Sequence, residues 1–264
     1  MPFTLSHPAA ILPLRRLLGR NAVLPALVIG SMAPDFPYFV IQGQFRAETH
    51  TLLSVLWFSV PTGWLVFLAW RFALRPASLV LLPTAVASRL GPAGPWPAAL
   101  GVTVSLAVGA LTHVLWDGVT HSNGMFVREF PALRAHIVQL FHYPLWSYNV
   151  LQHGSTLLGG ATVALAASAW YARTAPLHPP PSLNPRVRRI ARASLVLVPL
   201  TIAIVGASPH FPKDTSGVRT SLYLGHIAVR VMGASLAVAF VWGAWLRLVA
   251  YGVSAGPGSA ASDR

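Results

Sequence analysis

The sequence predicts an all-α membrane protein: a polytopic helical bundle of about six transmembrane helices, with one amphipathic helix on the outer surface. Of its 264 residues, 54% are hydrophobic and only 9% are charged, and the mean hydropathy is +0.59. An ordinary soluble domain carries about a quarter charged residues. The uncharged stretches are also too long and too frequent for a soluble helical core. The composition therefore favours a membrane protein.

Six segments are long and apolar enough to span a bilayer. They comprise residues 21–41, 51–70, 97–117, 150–172, 193–209 and 221–246. The first segment contains Asp35 between Pro34 and Pro37, and proline removes a backbone donor and clashes with the preceding helical turn. We therefore expect this segment to break near Asp35. Broken backbone at membrane depth must line a cavity or pack on protein.

The basic residues lie mostly between the apolar segments. The net charge is +13, from 19 Lys and Arg against 6 Asp and Glu. Their placement fits anionic lipid headgroups, so we expect membrane lipids as partners and no nucleic acid. Most of the arginines fall on one side when the N-terminus is placed inside the cell. This bias predicts a multi-pass membrane protein with both termini cytoplasmic.

The chain divides into three regions at the sequence level. Residues 1–172 form a membrane domain, 173–192 a cytoplasmic linker rich in proline and arginine, and 193–264 a helical hairpin with a short disordered tail. In the first region, the loop from His121 to Trp146 carries apolar residues at roughly helical spacing. We interpret this loop as the amphipathic helix on the outer surface.

Two aspartates mark the candidate site, because a carboxylate within an apolar span is costly and therefore usually functional. Asp117 follows His113 by four residues, so both project from one helix face, and His121 follows one turn later. Imidazole and carboxylate are typical ligands of zinc and other divalent ions. A hydrogen-bonded pair at a helix end explains the same spacing, and both interpretations stay open. The chain has no cysteine, which excludes thiolate ligands and nucleophiles.

Four further residues are candidates for contacting a substrate or orienting a ligand. They are His121, Gln152, His153 and Arg230. Arg230 can contact a phosphate or pair with an aspartate, and Gln152 and His153 can orient a ligand from outside the metal shell. Hydrogen bonding between helices explains Gln152 equally well, and a purely structural pairing explains Arg230.

Five stretches carry a resemblance to a known family. They read MPFTLSHPAAILPLRR, ALVIGSMAPDFPYF, ETHTLL, LTHVLWDGVTHSNGMFV and LQHGSTLLG. Together, over residues 1–172, they resemble the bacterial membrane family called domain of unknown function 4184. That family looks like a distant relative of inner-membrane metal-dependent hydrolases, and through them it is remotely similar to zinc-dependent phospholipase C and P1 nuclease.

The resemblance implies the bacterial inner membrane as the location. It also implies a ligand set, with zinc as the favoured divalent metal. Carried over by position, the metal ligands are His7, Asp35, His50, His113 and Asp117, and the catalytic residues are Asp117, His113 and Asp35. The hydrolase-like relatives have a second aspartate and a histidine-arginine pair where this chain reads FPYF and RAE. The simple topology also places His7 on the cytoplasmic side, away from the others. Either the N-terminal segment forms a re-entrant hairpin, or His7 is not a ligand.

Three functions follow as hypotheses. The leading one is a metal-dependent hydrolase acting on a lipid or phosphoester at the outer membrane-water interface. The alternative is a non-catalytic membrane protein, a transporter or assembly partner, with a buried network of His, Asp and Arg. A third is a soluble helical phosphodiesterase. The oligomeric state is left open.

Overall fold

A computed structural model describes residues 4–40, 45–91, 94–140, 143–177, 183–207 and 217–254. The predicted disordered tail lies outside these residues. The described structure is helical apart from one short β-hairpin, so the predicted all-α class is confirmed. The elements in chain order are α1 (Pro8–Leu18), α2 (Leu24–Gly30), α3 (Phe36–Val40), α4 (Arg46–Thr49), α5 (Val60–Ala69), α6 (Arg75–Leu81), α7 (Thr84–Ala87), α8 (Ala99–Thr120), α9 (Met125–Glu129), β1 (His136–Leu140), β2 (Tyr143–Trp146), α10 (Ser147–Arg173), α11 (Pro185–Ala207) and α12 (Gly217–Ser254).

Four helices in the described residues are long and apolar enough to cross a membrane. They are Val55–Leu81, Ala99–Glu129, Pro185–Gly206 and Tyr223–Val249, and they match four of the six predicted spans. The predicted span 150–172 lies within α10, which has 27 residues but is less apolar than these four. The predicted span 21–41 is not one helix.

The first apolar segment breaks where the prolines predict. Helix α2 ends at Gly30, a 3₁₀ turn covers Ala33–Asp35, and α3 begins at Phe36. Helices α1 and α2 are about 16 and 10 Å long, from a rise of about 1.5 Å per residue, and neither can cross a hydrocarbon core of about 30 Å alone. They form a helical hairpin that packs on α8.

Helix Val55–Leu81 contains two π-helical turns, Val55–Ser59 and Trp70–Leu74. Each turn ends two residues before a proline, Pro61 or Pro76. Proline lacks the N–H that an α-helix needs and crowds the preceding turn. A locally widened turn accommodates both effects without ending the helix.

The predicted amphipathic helix over 121–146 is wrong. This stretch forms the five-residue α9, a 3₁₀ turn at Pro131–Arg134 and an antiparallel hairpin of β1 and β2. Pro131 prevents α9 from continuing, because the residue before a proline is disfavoured in the α region. The β-branched pair Ile137 and Val138 then favours a strand over a helix.

The described chain forms two compact units. The first comprises residues 1–67 and 94–174, and the second comprises 68–93 and 175–264. In the first unit α2 and α8 pack with their backbones in close approach, because Gly30 lies against the Leu106 backbone and Gly109 against Leu27 and Ser31. In the second unit α11 packs on α12 and α6, and Arg192 donates hydrogen bonds to the carbonyls of Leu81 and Leu82.

Candidate metal site

Helix α8 supplies two polar side chains from one face near its C-terminal end, and the residue that follows the helix supplies a third. His113, Asp117 and His121 follow each other at one-turn intervals, and all three are buried. The Nδ1 atom of His113 lies 2.8 Å from the carbonyl oxygen of Ser31. That contact depends on the glycine-mediated approach of α2 to α8. The α2–α8 packing therefore fixes the orientation of the His113 ring.

Asp35 reaches the same place from the broken segment. Its carboxylate is fully buried, and Oδ2 accepts a hydrogen bond of 2.7 Å from the Thr4 hydroxyl. Oδ1 has no hydrogen-bond partner among the described residues. A buried carboxylate oxygen without a donor is costly, so this atom points to a ligand.

His50 follows the short helix α4 and is held by its neighbours. Thr49 Oγ1 lies 2.9 Å from His50 Nδ1 and donates its own proton to the carbonyl of Phe45 at 2.9 Å. Ser54 closes the following turn, because its hydroxyl bonds the Thr49 carbonyl and its backbone N–H bonds Thr51. The ring is therefore fixed from outside the site.

Four donor atoms converge at the centre of the first unit. They are Nε2 of His50, Nε2 of His113, Oδ1 of Asp35 and Oδ2 of Asp117. The two nitrogens are 3.2 Å apart. His50 Nε2 lies 3.3 Å from the Asp35 oxygen and 3.4 Å from the Asp117 oxygen, and His113 Nε2 lies 3.6 Å from each. We call these atoms the four-donor cluster.

His7 lies beside the four-donor cluster. Its ring stacks on His113 with the ring centroids 3.8 Å apart, and its Nε2 is 3.5 Å from Asp117 Oδ1. Burial, and then the interaction with His113, lowers the pKa of His7 to about 3. The imidazole is therefore neutral at neutral pH and offers a lone pair. The structure places His7 beside the other candidates, at the start of the hairpin of α1 and α2, and the side of the membrane on which His7 lies stays a prediction.

Arg46 completes the site. Its Nη1 donates to Asp117 Oδ2 at 2.7 Å, and its side chain is 17% exposed whereas that of Asp117 is 1% exposed. His121 lies on the other carboxylate oxygen, with its Nδ1 3.6 Å from Asp117 Oδ1. Both carboxylate oxygens of Asp117 therefore have a nitrogen of a basic side chain within 3.6 Å.

The comparison with known families agrees with the motifs that built this site. The family described as Domain of unknown function (DUF4184) matches residues 1–253. The chain belongs to the DUF4184 family. The match extends well beyond the residues 1–172 that carry the recognisable motifs. No curated protein and no solved structure matches the chain.

In this DUF4184 protein the structure brings together six of the residues singled out from sequence. They are His7, Asp35, His50, His113, Asp117 and His121. Three others lie elsewhere. On α10, Gln152 is half-buried and His153 is exposed, and Arg230 belongs to the second unit, where it lies against Gly206.

Four contributors were missed by sequence reasoning. Arg46 was counted only as a loop charge, although it precedes His50 by one helical turn and that spacing was visible. Thr4, Thr49 and the Ser31 carbonyl also hold site residues. Threonine and backbone carbonyls are too common in any sequence for their spacing to single them out.

Two cavities adjoin the site of this DUF4184 protein. One of about 580 Å³ is almost entirely apolar and is lined by His7, Trp116 of α8 and residues of α10 that include Leu151 and Gly154. The other, of about 440 Å³, is lined by Arg46, His50, Asn123 and Arg128 among others. The site is therefore bordered by an apolar space and by a cationic one.

Proposed function

We propose that this protein binds a divalent metal, zinc above others, at the four-donor cluster and acts as a metal-dependent hydrolase in the membrane. The observation that carries the proposal is the spacing of the four donor atoms. A metal about 2.0–2.2 Å from four tetrahedral ligands requires about 3.3–3.6 Å between those ligands. Five of the six separations among these atoms run from 3.2 to 3.6 Å. The two aspartates belong to two overlapping groups, His7–Asp35–His113 and His50–His113–Asp117, and the ligand atoms of each group lie within 4.8 Å of one another.

The hydrogen bonds of the two imidazoles support the proposal. His113 Nδ1 faces only a carbonyl oxygen, so it carries the proton and donates it. The Thr49 hydroxyl donates its proton to the Phe45 carbonyl, so its oxygen can only accept a hydrogen bond from His50 Nδ1–H. Both Nε2 atoms therefore direct lone pairs at the centre, as metal-ligating histidines do when an outer partner fixes the tautomer.

A divalent metal held by three of these residues, as in the group His50, His113 and Asp117, would leave one position for a water molecule, would act as a Lewis acid and would lower the pKa of that water. In hydrolysis the water oxygen bonds to the phosphorus or carbonyl carbon, the ester bond to the leaving alcohol breaks, and that alcohol takes up the proton. The chain's part is to hold Asp35, His50, His113 and Asp117 rigidly and to keep His7 neutral beside them. The apolar cavity at His7 supports a lipid or lipid-linked ester as the substrate.

One observation favours a second function. Arg46 already pairs with Asp117, and one proton shared between the two Nε2 atoms neutralises the remaining carboxylate. Such a network is charge-balanced without a metal and suits a non-catalytic membrane protein. This alternative predicts that the folded protein has no affinity for zinc or manganese.

Elemental analysis of detergent-purified protein tests the proposal. We expect close to one metal ion per chain in the wild type, and its loss in His113→Ala and in Asp117→Ala. His153→Ala is the matched control, because His153 is an exposed histidine of the same unit. Helical content from circular dichroism must match in all four proteins. A folded wild type that takes up no metal after incubation with zinc or manganese contradicts the proposal.

A further inference from the structure

The cationic cavity is built from three separate pieces of the first unit. Arg46 belongs to α4, His50 and Thr51 to the turn that follows, and Asn123 and Arg128 to the segment of α9. Gly118 and Val114 of α8 form its floor. None of the residues lining it is acidic. We call this space the arginine cavity.

Arg46 has more N–H donors than its bond to Asp117 uses. Its Nη1 is bonded to Asp117, but a guanidinium has five N–H donors in a rigid fork. The side chain is partly exposed and lines the cavity. Arg46 therefore borders both the four-donor cluster and the arginine cavity.

Arg128 also lines this space. It belongs to α9, which is anchored by the buried Val127 and by the close approach of Gly124 to the Gly118 backbone. Arg128 is exposed and forms no ion pair within the described part of the chain. The nearby carboxylates Glu48 and Glu129 are exposed and do not line the cavity. The positive charge of Arg128 is thus available to a ligand.

The two arginines make the arginine cavity attractive to an anion. If two carboxylates balance one divalent metal, Arg46 adds a net positive charge beside the four-donor cluster even though it pairs with Asp117. We propose that the arginine cavity binds the phosphoryl group of an anionic phosphoester, with Arg128 as the residue that selects for negative charge. Arginine suits this role because its fork matches phosphate oxygens. The inference rests on the proposed function for the position of the reacting group, but binding of the anion can be tested separately.

Calorimetric titration of the detergent-purified protein with inorganic phosphate tests the proposal. We expect saturable binding to the wild type and an increase in Kd of about tenfold or more in Arg128→Gln, the loss expected for one charge-assisted hydrogen bond. Arg128→Lys retains the charge but not the fork, and its Kd should lie between the two. Arg173→Gln is the control, because Arg173 is an exposed arginine of the same unit outside the cavity.

The same titration in zinc-loaded and EDTA-treated protein separates the two proposals. Phosphate binding that depends on Arg128 in protein with no metal affinity supports the cavity and contradicts the metal site. A protein that loads zinc but binds phosphate equally with or without Arg128, or not at all, supports the metal site and overturns the cavity.

Competition identifies the source of the phosphoryl group. Glycerol phosphate in solution and dihexanoyl phosphatidic acid carry the same monoester, but only the second has acyl chains. Stronger displacement of phosphate by the lipid assigns the cavity to a lipid headgroup, and equal displacement assigns it to a soluble phosphoester. If neither compound displaces bound phosphate, the phosphoester proposal is overturned.

Discussion

The Nε2 atoms of His50 and His113 lie 3.2 Å apart, and the Nδ1 atom of each ring lies within 2.9 Å of an oxygen outside the site. With the tautomers argued above, both Nε2 atoms carry lone pairs. Two lone pairs at this distance repel unless a cation lies between them or beside them. The cation is either a proton or a metal ion. The four-donor cluster therefore exists either with a proton or with a metal ion at its centre. Substitutions of the surrounding residues should have different effects in these two states.

The outer hydrogen-bond partners of His50 and Asp35 should control metal affinity without being ligands. Thr49→Val removes the acceptor of His50 Nδ1–H, and Thr4→Val removes the donor to Asp35 Oδ2. Loss of such partners weakens metal binding about 10- to 100-fold in known sites. We expect this decrease for both variants in competition titrations with a zinc-binding dye. Thr162→Val, which alters an exposed threonine on α10, should bind zinc as the wild type does.

Arg46→Gln should distinguish the two charge states of the cluster. Removing one partner of a buried ion pair costs about 3–5 kcal/mol when the other charge is left unpaired. We expect a loss of this size in EDTA-treated protein, because Asp117 is then uncompensated. In zinc-loaded protein the loss should be about 1–2 kcal/mol, the net worth of one charged hydrogen bond. Equal losses in both forms, measured by chemical unfolding in detergent, contradict a metal at Asp117.

His7 should make the metal-free protein sensitive to acid. Its pKa falls from 6.5 in the unfolded chain to about 3 in the folded protein. The unfolded state therefore binds a proton first, and folding stability decreases as the pH falls from about 6.5 towards 3, by at most about 1.4 kcal/mol per pH unit from this group. We expect His7→Asn to show a shallower decrease across this window. Unfolding of EDTA-treated wild type and variant at several pH values measures the difference, and parallel curves contradict a buried neutral His7.

The packing of α2 on α8 should be intolerant of a side chain at Gly109. A Cβ there meets the Leu27 carbonyl and the Ser31 backbone nitrogen, and backbone cannot move aside cheaply. We expect Gly109→Val to destabilise the protein by about 3 kcal/mol or more and to weaken zinc binding, since Ser31 would shift from His113. Gly154→Ala on α10 meets no atom within 4 Å and should leave the melting temperature and zinc binding close to wild type.

The sequence was most informative where a physical rule acts locally. Pro34 and Pro37 predicted the break beside Asp35, and the four-residue spacing predicted that His113 and Asp117 share a face. The prediction from sequence was wrong over residues 121–146. The apolar spacing there suggested a helix, but Pro131 and the β-branched residues favoured a turn and a hairpin. Arg46 was missed because its partner, Asp117, lies 71 positions away. Pairings at that separation depend on tertiary packing, which periodicity does not encode.

The hairpin of α1 and α2 changes the expected topology of the N-terminus. Its tip lies near the N-terminal end of α8, because the Val23 N–H bonds Ser105 and Gly101 lies against the Asn21 carbonyl. His7, at the other end, is at the level of His113. We therefore predict that the arginines near the tip face the cytoplasm while the N-terminus lies on the other side.

Cysteine labelling measures on which side of the membrane each end of the hairpin lies, because the natural chain has no cysteine that would react in its place. We expect Leu5→Cys and Glu48→Cys, both at exposed positions, to react with a membrane-impermeant maleimide from the same side of the membrane. Asn21→Cys and Ala98→Cys, at exposed positions near the other end of α8, should react only after the cells are opened. Labelling of Leu5→Cys together with Ala98→Cys, and not with Glu48→Cys, would show that the chain crosses the bilayer between His7 and His50. That result would remove His7 from the four-donor cluster and contradict the re-entrant hairpin.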